Sequence, residues 1–343
     1  MPLHLMRHDA PALLWRDGFP LGNGKVAAMA WGPGDEERFS LNHEWLWRGK
    51  NRHRGLSTKS VPLADIRRLF FEGKTLEAGE LANRSLGGPG GVEGPTGRVD
   101  AYQPVGDLLL RWHLAFRESE QYERTLDLAT AVARTAFTQQ GVAVERHAFV
   151  HAECGLLCVR LAREDDLRLP LDIALRRTFD PECACSPFLD GNRLGLTGRF
   201  PEGIAFAMVA EIRSDGTVSA GAGGDGVRAE GFAECEIRLA AAVDTDGGDP
   251  MPAAHARLDA AEAEGWASLL ASHVAAHRAL YDRVELDLGR EPEAGAAPQC
   301  VERLRGGGGD GQALAELYFH YGRYLTLAAS RNPNGTPANL QGK

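Results

Sequence analysis

The stretch AVARTAFTQQGVAVERHAFV, residues 131–150, decides the fold. It contains two runs rich in apolar residues, Ala131–Phe137 and Val142–Val150, and the pair Gln140-Gly141 lies between them. Short runs of this kind are typical of β-strands, and a glycine between two of them is typical of a tight turn. The stretch therefore predicts an antiparallel hairpin.

Similar runs, separated by similar turn residues, recur between residues 20 and 250. The further strand-like runs are Phe39–His43, Asp107–Trp112, Leu156–Leu161, Leu169–Leu175, Leu194–Gly198, Ile204–Ile212 and Cys235–Val243. The turn residues between runs include Gly32–Asp35, Asp190–Asn192 and Ser214–Gly216. Many short strands joined by hairpin turns predict a mainly β fold, namely a large antiparallel β-sandwich.

Helical spacing of apolar residues appears in three places. Residues 61–84 have this spacing but are interrupted at Gly73, so they predict two short helices. Residues 253–282 carry one apolar stripe and predict helix, and residues 312–330 predict a strongly apolar helix. The sandwich is therefore expected to be followed by a helical region.

The segments around the last helix complete this picture. Residues 284–289 predict a short strand, and residues 291–310, which contain two prolines and four consecutive glycines, predict a loop or linker. The helix over 312–330 is apolar on most of its circumference and needs neighbours to cover it. Only thirteen residues follow it, so we expect the sequence to be incomplete at Lys343.

Composition and charge exclude several classes of protein. The 343 residues include 38 Lys and Arg against 47 Asp and Glu, a net charge of −9, so no nucleic-acid partner is expected. No run of 18 apolar residues occurs, which excludes a transmembrane helix and a membrane partner. The chain starts without a secretory leader, and its six cysteines, Cys183 and Cys185 included, are interpreted as ordinary thiols rather than metal ligands. We therefore expect a cytoplasmic protein with reduced cysteines.

Several blocks of sequence carry a resemblance to a known family. Phe19–Lys25 reads FPLGNGK and Phe39–Gly49 reads FSLNHEWLWRG, and both resemble the N-terminal β-domain of glycoside hydrolase family 95, which includes α-L-fucosidases and α-L-galactosidases. Further similar blocks follow in the same order: Asp65–Phe70, Tyr102–Leu108, Tyr122–Leu128, Glu145–Phe149, His273–Gly289, Tyr321–Leu325 and Pro337–Gly342. The resemblance spans nearly the whole chain.

This resemblance implies a domain organisation. Residues 1–252 would form the N-terminal β-sandwich of the super-sandwich type, and residues 253–310 a helical linker. Residues 311–343 would form the first helix of an (α/α)6 catalytic barrel that is truncated in this sequence. The missing barrel is expected to pack on the sandwich.

The resemblance also implies a reaction. Family members hydrolyse glycosides with inversion: one carboxylic acid protonates the leaving oxygen and a second carboxylate assists an attacking water, the two groups lying roughly 6.5–9.5 Å apart. Motif order places both groups beyond Gly342, so no catalytic residue is assigned in this chain. The expected substrate is an oligosaccharide or glycan with a terminal α-L-fucose or α-L-galactose. No cofactor and no metal are expected, and we expect these 343 residues alone to be inactive.

Two neighbouring residues, Trp47 and Arg48, are candidates for substrate binding, and they lie in a block that departs from the pattern of the family at Trp45 and Arg48. Many members have Leu-Asn-Glu-Asp-Thr-Leu-Trp-Ser-Gly where this chain has LNHEWLWRG at residues 41–49. On a strand, Trp45 and Trp47 share one face opposite Leu46. Trp47 could stack on a sugar ring or fill the sandwich core, and Arg48 could bind sugar hydroxyls or form an interdomain salt bridge.

The end of the chain supplies two further candidates. Asn339 and Gln341 follow the first barrel helix, in a loop of the type that surrounds the substrate cavity of helical barrels. Amides suit sugar hydroxyls because they both donate and accept hydrogen bonds, although such a residue can equally cap the next helix. Arg323, inside the apolar helix, is expected to tie that helix to the sandwich or to the following loop.

Three other motifs have a structural and a functional interpretation. Gly22–Gly24 could cradle a phosphate, but a tight turn with positive φ is the favoured interpretation. Asp35–Glu37 could pair as acid and base, but a solvated hairpin tip is favoured. His273 and His277 have the i, i+4 spacing of zinc ligands, but packing and hydrogen bonding at the domain junction are favoured.

Two alternative functions compete with glycoside hydrolysis. One is a non-catalytic carbohydrate-binding β-sandwich or accessory domain, and the other is a phosphorylase of a related sandwich-plus-barrel family. The apolar side chains expected on the exposed face of the last helix are Leu317, Phe319, Tyr321, Tyr324 and Leu325. A face of this kind argues against a self-contained binding module.

Overall fold

The computed structural model describes residues 4–48, 62–86, 101–112, 119–139, 141–163, 170–221, 226–289, 296–331 and 335. The chain divides into two compact units: Met1–Leu46 with Pro104–Lys343, and Trp47–Gln103. The domain boundaries expected at residues 252 and 310 remain predictions.

The described residues include sixteen β-strands. Their bounds are β1 Leu5–His8, β2 Phe19–Gly22, β3 Val26–Trp31, β4 Glu36–Trp47, β5 Tyr102–Trp112, β6 Ser119–Asp127, β7 Val132–Gln139, β8 Val142–Val150, β9 Leu157–Arg163, β10 Leu171–Arg176, β11 Ala184–Asp190, β12 Arg193–Arg199, β13 Ala205–Ser214, β14 Thr217–Ala220, β15 Gly226–Glu230 and β16 Glu234–Asp244. They form two sheets. One has nine strands in the order β1-β6-β7-β8-β9-β16-β13-β12-β11, and the other has seven in the order β14-β15-β10-β5-β4-β3-β2.

The two antiparallel sheets form the predicted sandwich, with one apolar core between them. In β3 the alternate residues Val26, Ala28 and Ala30 are buried, as expected for a strand with one face on the core. Ala205–Ala210 of β13, by contrast, are buried on both faces. This difference arises because a helix covers the outer side of β13 and β16.

The hairpin predicted at residues 131–150 is confirmed. Gln139 of β7 lies opposite Val142 of β8, and the two strands stay in antiparallel register along their length. The turn predicted at Asp190–Asn192 joins β11 to β12, with Gly191 at φ +58°. Glycine adopts this left-handed conformation without the steric cost that a β-carbon adds.

Six α-helices lie among the described residues. They are α1 Leu63–Phe71, α2 Thr75–Leu86, α3 Met251–Ala260, α4 Trp266–Tyr281, α5 Ala297–Arg305 and α6 Gly311–Ser330. Helices α1 and α2 lie in the second unit and confirm the predicted pair of short helices. Gly73 between them has φ +76°, a conformation that ends α1.

The stripe predicted over residues 253–282 divides between two helices, α3 and α4. The interruption has a physical cause in the fully buried Arg238 of β16, whose guanidinium donates to the carbonyl oxygens of Ala261 and Glu264, each at 2.6 Å. These bonds satisfy carbonyls that a continuous helix would bond internally. Gly265, in extended conformation, is then the N-cap residue of α4, which begins at Trp266.

Two predictions about the segments before α6 are wrong. Residues 284–289 form no strand, because the chain beside them is a helix that offers side chains rather than a strand edge. The interval 291–310 contains helix α5 instead of a continuous loop. Pro298 lies in the first turn of α5, where a missing N–H costs nothing, and the glycines begin only where α5 ends.

Candidate functional site

Helix α6 and the surfaces around it form the candidate functional region. The Asp310 carboxylate caps the helix by accepting from the N–H groups of Gln312 and Ala313, at 2.9 and 3.3 Å. Glu316, His320, Tyr324 and Ala328 repeat every four residues and are buried, so they form the inner face of α6. None of the described helices, α6 included, has the length and apolar content to cross a membrane.

The C-terminal half of α6 packs on the turn before β3. The Tyr324 hydroxyl donates to the Pro20 carbonyl at 2.6 Å, and the Gly24 N–H donates to the Ala328 carbonyl at 2.6 Å. A β-carbon at Gly22 would lie 2.9 Å from that same carbonyl oxygen. Gly24 has φ +83°, so the tight-turn interpretation of residues 22–24 is confirmed.

Asn23 holds this turn in shape. Its buried side-chain oxygen accepts from the backbone N–H groups of Lys25 and Val26, at 3.1 and 3.0 Å. The glycines of this turn have no side chains in the way of α6, and the hydrogen bonds of Asn23 hold the turn in one conformation. Both features allow the α6 backbone to approach the turn closely.

The middle of α6 acts as a hydrogen-bonding edge for the extended segment 284–288. His320 Nε2 lies 3.0 Å from the Leu286 carbonyl, and the Glu316 carboxylate accepts from the Leu288 N–H at 2.7 Å. Arg323 donates to the carbonyls of Val284 and Tyr281. The expected partner of Arg323, either the sandwich or the following loop, is therefore wrong: it binds the end of α4 and the segment after it.

Helix α4 is joined to the sandwich by a row of buried rings. His273 Nε2 lies 3.3 Å from the Ala131 carbonyl, and His277 Nε2 lies 2.9 Å from the Leu128 carbonyl. Burial lowers the pKa of His273 to about 3 and that of His277 to about 4, so both imidazoles are neutral at pH 7.

The interpretation of these two histidines as packing and hydrogen-bonding residues is confirmed. The ring nitrogens that face the sandwich lie at hydrogen-bonding distance from backbone carbonyls. Within the described residues, no group of three or more His, Cys, Asp or Glu side chains is arranged to hold a metal ion.

The outer face of α6 bears an open apolar groove of about 610 Å³. It is lined by Ala315, Tyr318, Phe319, Gly322, Arg323, Thr326 and Leu327. Tyr318 is 77% exposed and Phe319 is 38% exposed. Because Gly322 lacks a side chain, the groove opens between these aromatic rings and Thr326.

The exposed face expected on α6 is thus partly wrong. Tyr324 is only 1% exposed, and Leu317, Tyr321 and Leu325 pack against the sandwich core. Phe319 is the one expected residue that remains on the open side, together with its neighbour Tyr318. The apolar side chains of α6 therefore lie on two faces of the helix. Most of them pack against the sandwich, and the others line the open groove.

Two carboxylates near the start of β4, one half-buried and one buried, are paired with arginines. Burial disfavours ionisation of Glu36, but hydrogen bonds from Arg111 and Arg38 outweigh it and hold the pKa of this carboxyl below its usual value. Glu37 is buried and forms an ion pair with Arg146. The prediction of a solvated hairpin tip is therefore wrong for Glu37. Strand β4 begins at Glu36, and the side chain of Glu37, its second residue, points inward.

These pairings are suited to structure rather than to acid catalysis. A general acid needs a raised pKa, and a neighbouring guanidinium has the opposite effect. The pKa of Asp107 is raised by burial, against hydrogen bonding from Ser40 and the charge of Arg38. The Arg38 guanidinium lies 3.8 Å from the Asp107 carboxylate, so this carboxyl too is paired with an arginine.

The four predicted substrate-binding residues have different outcomes. Asn339 and Gln341 lie outside the described residues and stay predictions. The Trp47 ring lies 4.9 Å from the Tyr102 ring, and the Arg48 N–H donates to the Ala101 carbonyl at 2.9 Å. A substrate role for Trp47 and Arg48 remains a prediction.

The alternative in which the tryptophans of this block fill the sandwich core is wrong for Trp45. Leu46 is fully buried in the core and Trp45 is 47% exposed. The alternation of β4, which buries every second residue up to His43, is interrupted by one residue before Leu46, so that Leu46 rather than Trp45 faces the core.

Sequence reasoning missed three residues that position α6. Glu316 and His320 are polar residues one turn apart on an apolar helix, and their spacing from Tyr324 could have marked a buried polar face. His4 stacks on His320 with ring centroids 3.8 Å apart. Its Nδ1 atom lies at hydrogen-bonding distance, 3.1 Å, from Tyr281 Oη. That pairing joins positions far apart in sequence and has no local signal.

Comparisons with known proteins agree with this architecture. Residues 6–247 match the model described as glycosyl hydrolase family 65, N-terminal domain, and residues 265–343 match the glycosyl hydrolase family 95 catalytic domain. The boundary between the two matches falls between the last strand and α4.

Relatives and solved structures give a similar picture. Alpha-L-fucosidase 2 of Arabidopsis thaliana is 27% identical over 97% of this chain and 42% of its own length. A probable alpha-fucosidase A of Aspergillus niger is 26% identical over 94% of this chain and 42% of its own. A solved structure titled putative kojibiose phosphorylase from human microbiome has a TM-score of 0.55 at 11% identity, covering 95% of this chain and 42% of that one, and shows a shared fold.

The sandwich and these matches define a class, the glycoside hydrolases whose N-terminal part is a large β-sandwich. Within that class, the chain belongs, through residues 6–247, to the family described as glycosyl hydrolase family 65, N-terminal domain, and its residues 265–343 are similar to the glycosyl hydrolase family 95 catalytic domain. The chain spans less than half the length of the curated relatives that it matches.

Proposed function

We propose that this chain forms the N-terminal sandwich and the first part of the catalytic domain of an exo-acting, inverting glycoside hydrolase. Its substrate would be an oligosaccharide or glycan ending in α-L-fucose or α-L-galactose. The observation that carries the proposal is the collinear match to relatives named alpha-fucosidase over nearly the whole chain, with the catalytic-domain match lying on α4 to α6.

The open groove on α6 supports a catalytic-domain role for this helix. Exposed aromatic side chains at one face of a helix that is already packed on its other face are typical of a surface that another element covers. We propose that further helices of the catalytic domain cover Tyr318 and Phe319, and that the sandwich fixes the position of α6 for them.

The carboxylates support placing the reaction centre elsewhere in the whole protein. Inverting hydrolysis needs one protonated and one ionised carboxyl group with space for water between them. Glu36, Glu37 and Glu211 instead face arginines, which favour the ionised form of each carboxyl. We propose that the acid and the base lie beyond residue 343, and that these 343 residues alone are inactive.

Four residues would contribute to the substrate site. Asn339 and Gln341 carry amides that can both donate to and accept from sugar hydroxyls. Trp47 supplies a ring face, which suits the apolar side of a pyranose, and Arg48 supplies hydrogen-bond donors.

The test is a hydrolysis assay on this chain and on the longest open reading frame of its gene, with 4-nitrophenyl α-L-fucoside, α-L-galactoside and β-D-galactoside. We expect the longer protein to cleave an α-L-glycoside and the 343-residue chain to release no nitrophenol above background. Proton NMR of the first sugar released should show the β-anomer. Turnover by the 343-residue chain, a retained anomer, or turnover that requires phosphate would each overturn the proposal.

A further inference from the structure

A pair of cysteines lies at the open edge of the nine-stranded sheet, far in sequence from α6. Cys183 is 8% exposed and belongs to the sandwich core, whereas Cys185 is exposed on β11. Their sulfur atoms lie 3.6 Å apart, close enough for one thiol to donate a hydrogen bond to the other. The glycoside hydrolase proposal makes no use of this pair.

The local backbone explains the short distance. In a regular strand, residues two apart share a face but are separated by roughly 6.5 Å along the strand axis. Cys183 lies just before β11, in a turn where its N–H donates to the Asp180 carbonyl at 3.1 Å and the Glu182 N–H donates to the Asp180 carboxylate at 2.9 Å. This turn brings the Cys183 sulfur towards that of Cys185.

The edge position of β11 leaves Cys185 open to small molecules. Strand β11 pairs with β12 on one side, where Cys185 lies opposite Gly198, and it ends the sheet on the other. Its residues Ala184 to Pro187 are all exposed. A small disulfide can therefore approach the sulfur of Cys185 without any movement of the core.

We propose that Cys183 and Cys185 are a reversible dithiol–disulfide pair that is oxidised by small disulfides such as oxidised glutathione. In the first step, the Cys185 thiolate attacks the small disulfide, forming a mixed disulfide and releasing one thiolate. In the second step, Cys183 loses its proton to the solvent and attacks the Cys185 sulfur. The second small thiolate leaves, so two thiols of the protein are oxidised and one small disulfide is reduced to two thiols.

The surroundings of Cys183 suit it to the second step. Burial raises the pKa of its thiol to about 12, against the charge of Arg177, so it stays protonated while Cys185 makes the first attack. The Arg177 side chain is only 4% exposed and lies 3.7 Å from the Asp180 carboxylate. A fixed cation at this position stabilises the thiolate that forms during the attack.

Three of the other four cysteines provide a contrast. Cys158 and Cys235 are buried and their thiol pKa values are raised by burial, so small oxidants do not reach a thiolate there. Cys154 is half-buried, and burial raises its pKa as well. It is the matched control, because it is the more accessible of these three.

The experiment is intact-mass analysis of the folded chain after incubation with oxidised glutathione at pH 8, followed by peptide mapping. Wild-type protein should lose two hydrogen atoms, with the bond mapped to Cys183 and Cys185, and dithiothreitol should restore both thiols. Cys183→Ser should instead accumulate one glutathione on Cys185, at least tenfold more than wild type. Cys185→Ser should react at least tenfold more slowly, and Cys154→Ser should behave as wild type.

Two results would overturn the proposal. One is a wild-type protein that keeps glutathione on Cys185 as the Cys183→Ser variant does, since the second thiol would then not resolve the mixed disulfide. The other is a wild-type protein in which both thiols stay reduced while Cys154 reacts. Far-ultraviolet circular dichroism of each variant establishes that the comparison is made between folded proteins.

Discussion

Helices α4 and α6 both pack on the sandwich, but they use their polar residues differently. On α4, His273 and His277 reach backbone carbonyls of the sandwich itself. On α6, Glu316 and His320 bind the extended segment that follows α4. The hydrogen bonds from α6 to the sandwich are made by the Tyr324 hydroxyl and the Ala328 carbonyl. The buried histidines of α4 thus bind the sandwich directly, whereas Glu316 and His320 of α6 bind an intermediate segment.

The two helices differ also on their outer sides. The largest exposed aromatic side chain of α6, Tyr318, has no equivalent on α4, where Trp266 is half-buried against β-strand residues. A helix can therefore pack on the sandwich with one face and still expose an apolar surface to which a further element can bind. The sandwich-facing residues are expected to govern stability, and the outward-facing residues to govern assembly.

The largest expected effect is on acid stability, which tests the histidines of α4. The folded state keeps His273 and His277 neutral down to about pH 3 and 4, whereas in the unfolded chain they take up protons below pH 6.5. The free energy of unfolding should therefore fall by about 1.4 kcal/mol per pH unit for each histidine as the pH drops from 6.5 to about 4, and be flat above 6.5. Urea unfolding at several pH values measures this slope.

The variant that sharpens this prediction is His277→Gln, since the amide can still donate to the Leu128 carbonyl. It should reduce the slope by about 1.4 kcal/mol per pH unit, because one titrating group is lost. Arg331 Nη1 lies 3.5 Å from His277 Nδ1 and contributes to the low pKa. Ser268→Ala, on the exposed side of α4, is the control, and an unchanged slope in His277→Gln would contradict the assignment.

The next effect concerns the inner face of α6. Tyr324→Ala removes a fully buried ring and its 2.6 Å hydrogen bond to the Pro20 carbonyl, so it should lower the free energy of unfolding by about 3–5 kcal/mol. Tyr318→Ala, on the outer face of the same helix, should change it by less than about 0.5 kcal/mol. Equal losses in the two variants, measured by urea unfolding, would remove the distinction between the faces.

A smaller effect should follow from changing the link between α6 and segment 284–288. Glu316→Gln keeps the shape of the side chain but replaces the charged oxygen that accepts from the Leu288 N–H with a neutral amide. It should lower the free energy of unfolding by about 1 kcal/mol. Glu302→Gln on α5, where the carboxylate is exposed and paired with Arg305, should cost less than about 0.5 kcal/mol. If Glu316→Gln left the free energy of unfolding unchanged, the segment would be held by Arg323 and His320 alone.

Local pattern was sufficient for much of the fold. Alternating or continuous apolar runs identified strands such as β8 and β13, because burial on one or both faces leaves a direct mark on the sequence. Local pattern did not reveal where a helix ends when the residue that ends it is distant in sequence. Arg238 of β16, for example, separates α3 from α4. Nor did it distinguish an extended segment paired with side chains from a strand paired with backbone.

The candidate site was less accessible to such reasoning. His273 and His277 have the i, i+4 spacing of zinc ligands, but the favoured interpretation, packing and hydrogen bonding, was confirmed. Glu37 was misassigned because a carboxylate beside a turn is usually solvated, and its partner Arg146 is more than one hundred residues away. Pairings between distant polar side chains leave no periodic signal, and the residues beneath α6 belong to this class.

The smallest effect on this chain, and the most informative for its function, concerns Tyr318→Ser. In the 343-residue chain the free energy of unfolding should change by less than about 0.5 kcal/mol, because the ring is 77% exposed. In the longest reading frame of the gene, where we propose that catalytic helices cover the groove, the same change should lower the unfolding midpoint and the hydrolytic rate together. Phe179→Ser, an 88% exposed aromatic residue elsewhere on the sandwich unit, should alter neither protein. If Tyr318→Ser were neutral in both proteins, the outer face of α6 would not be the surface on which the catalytic domain is built.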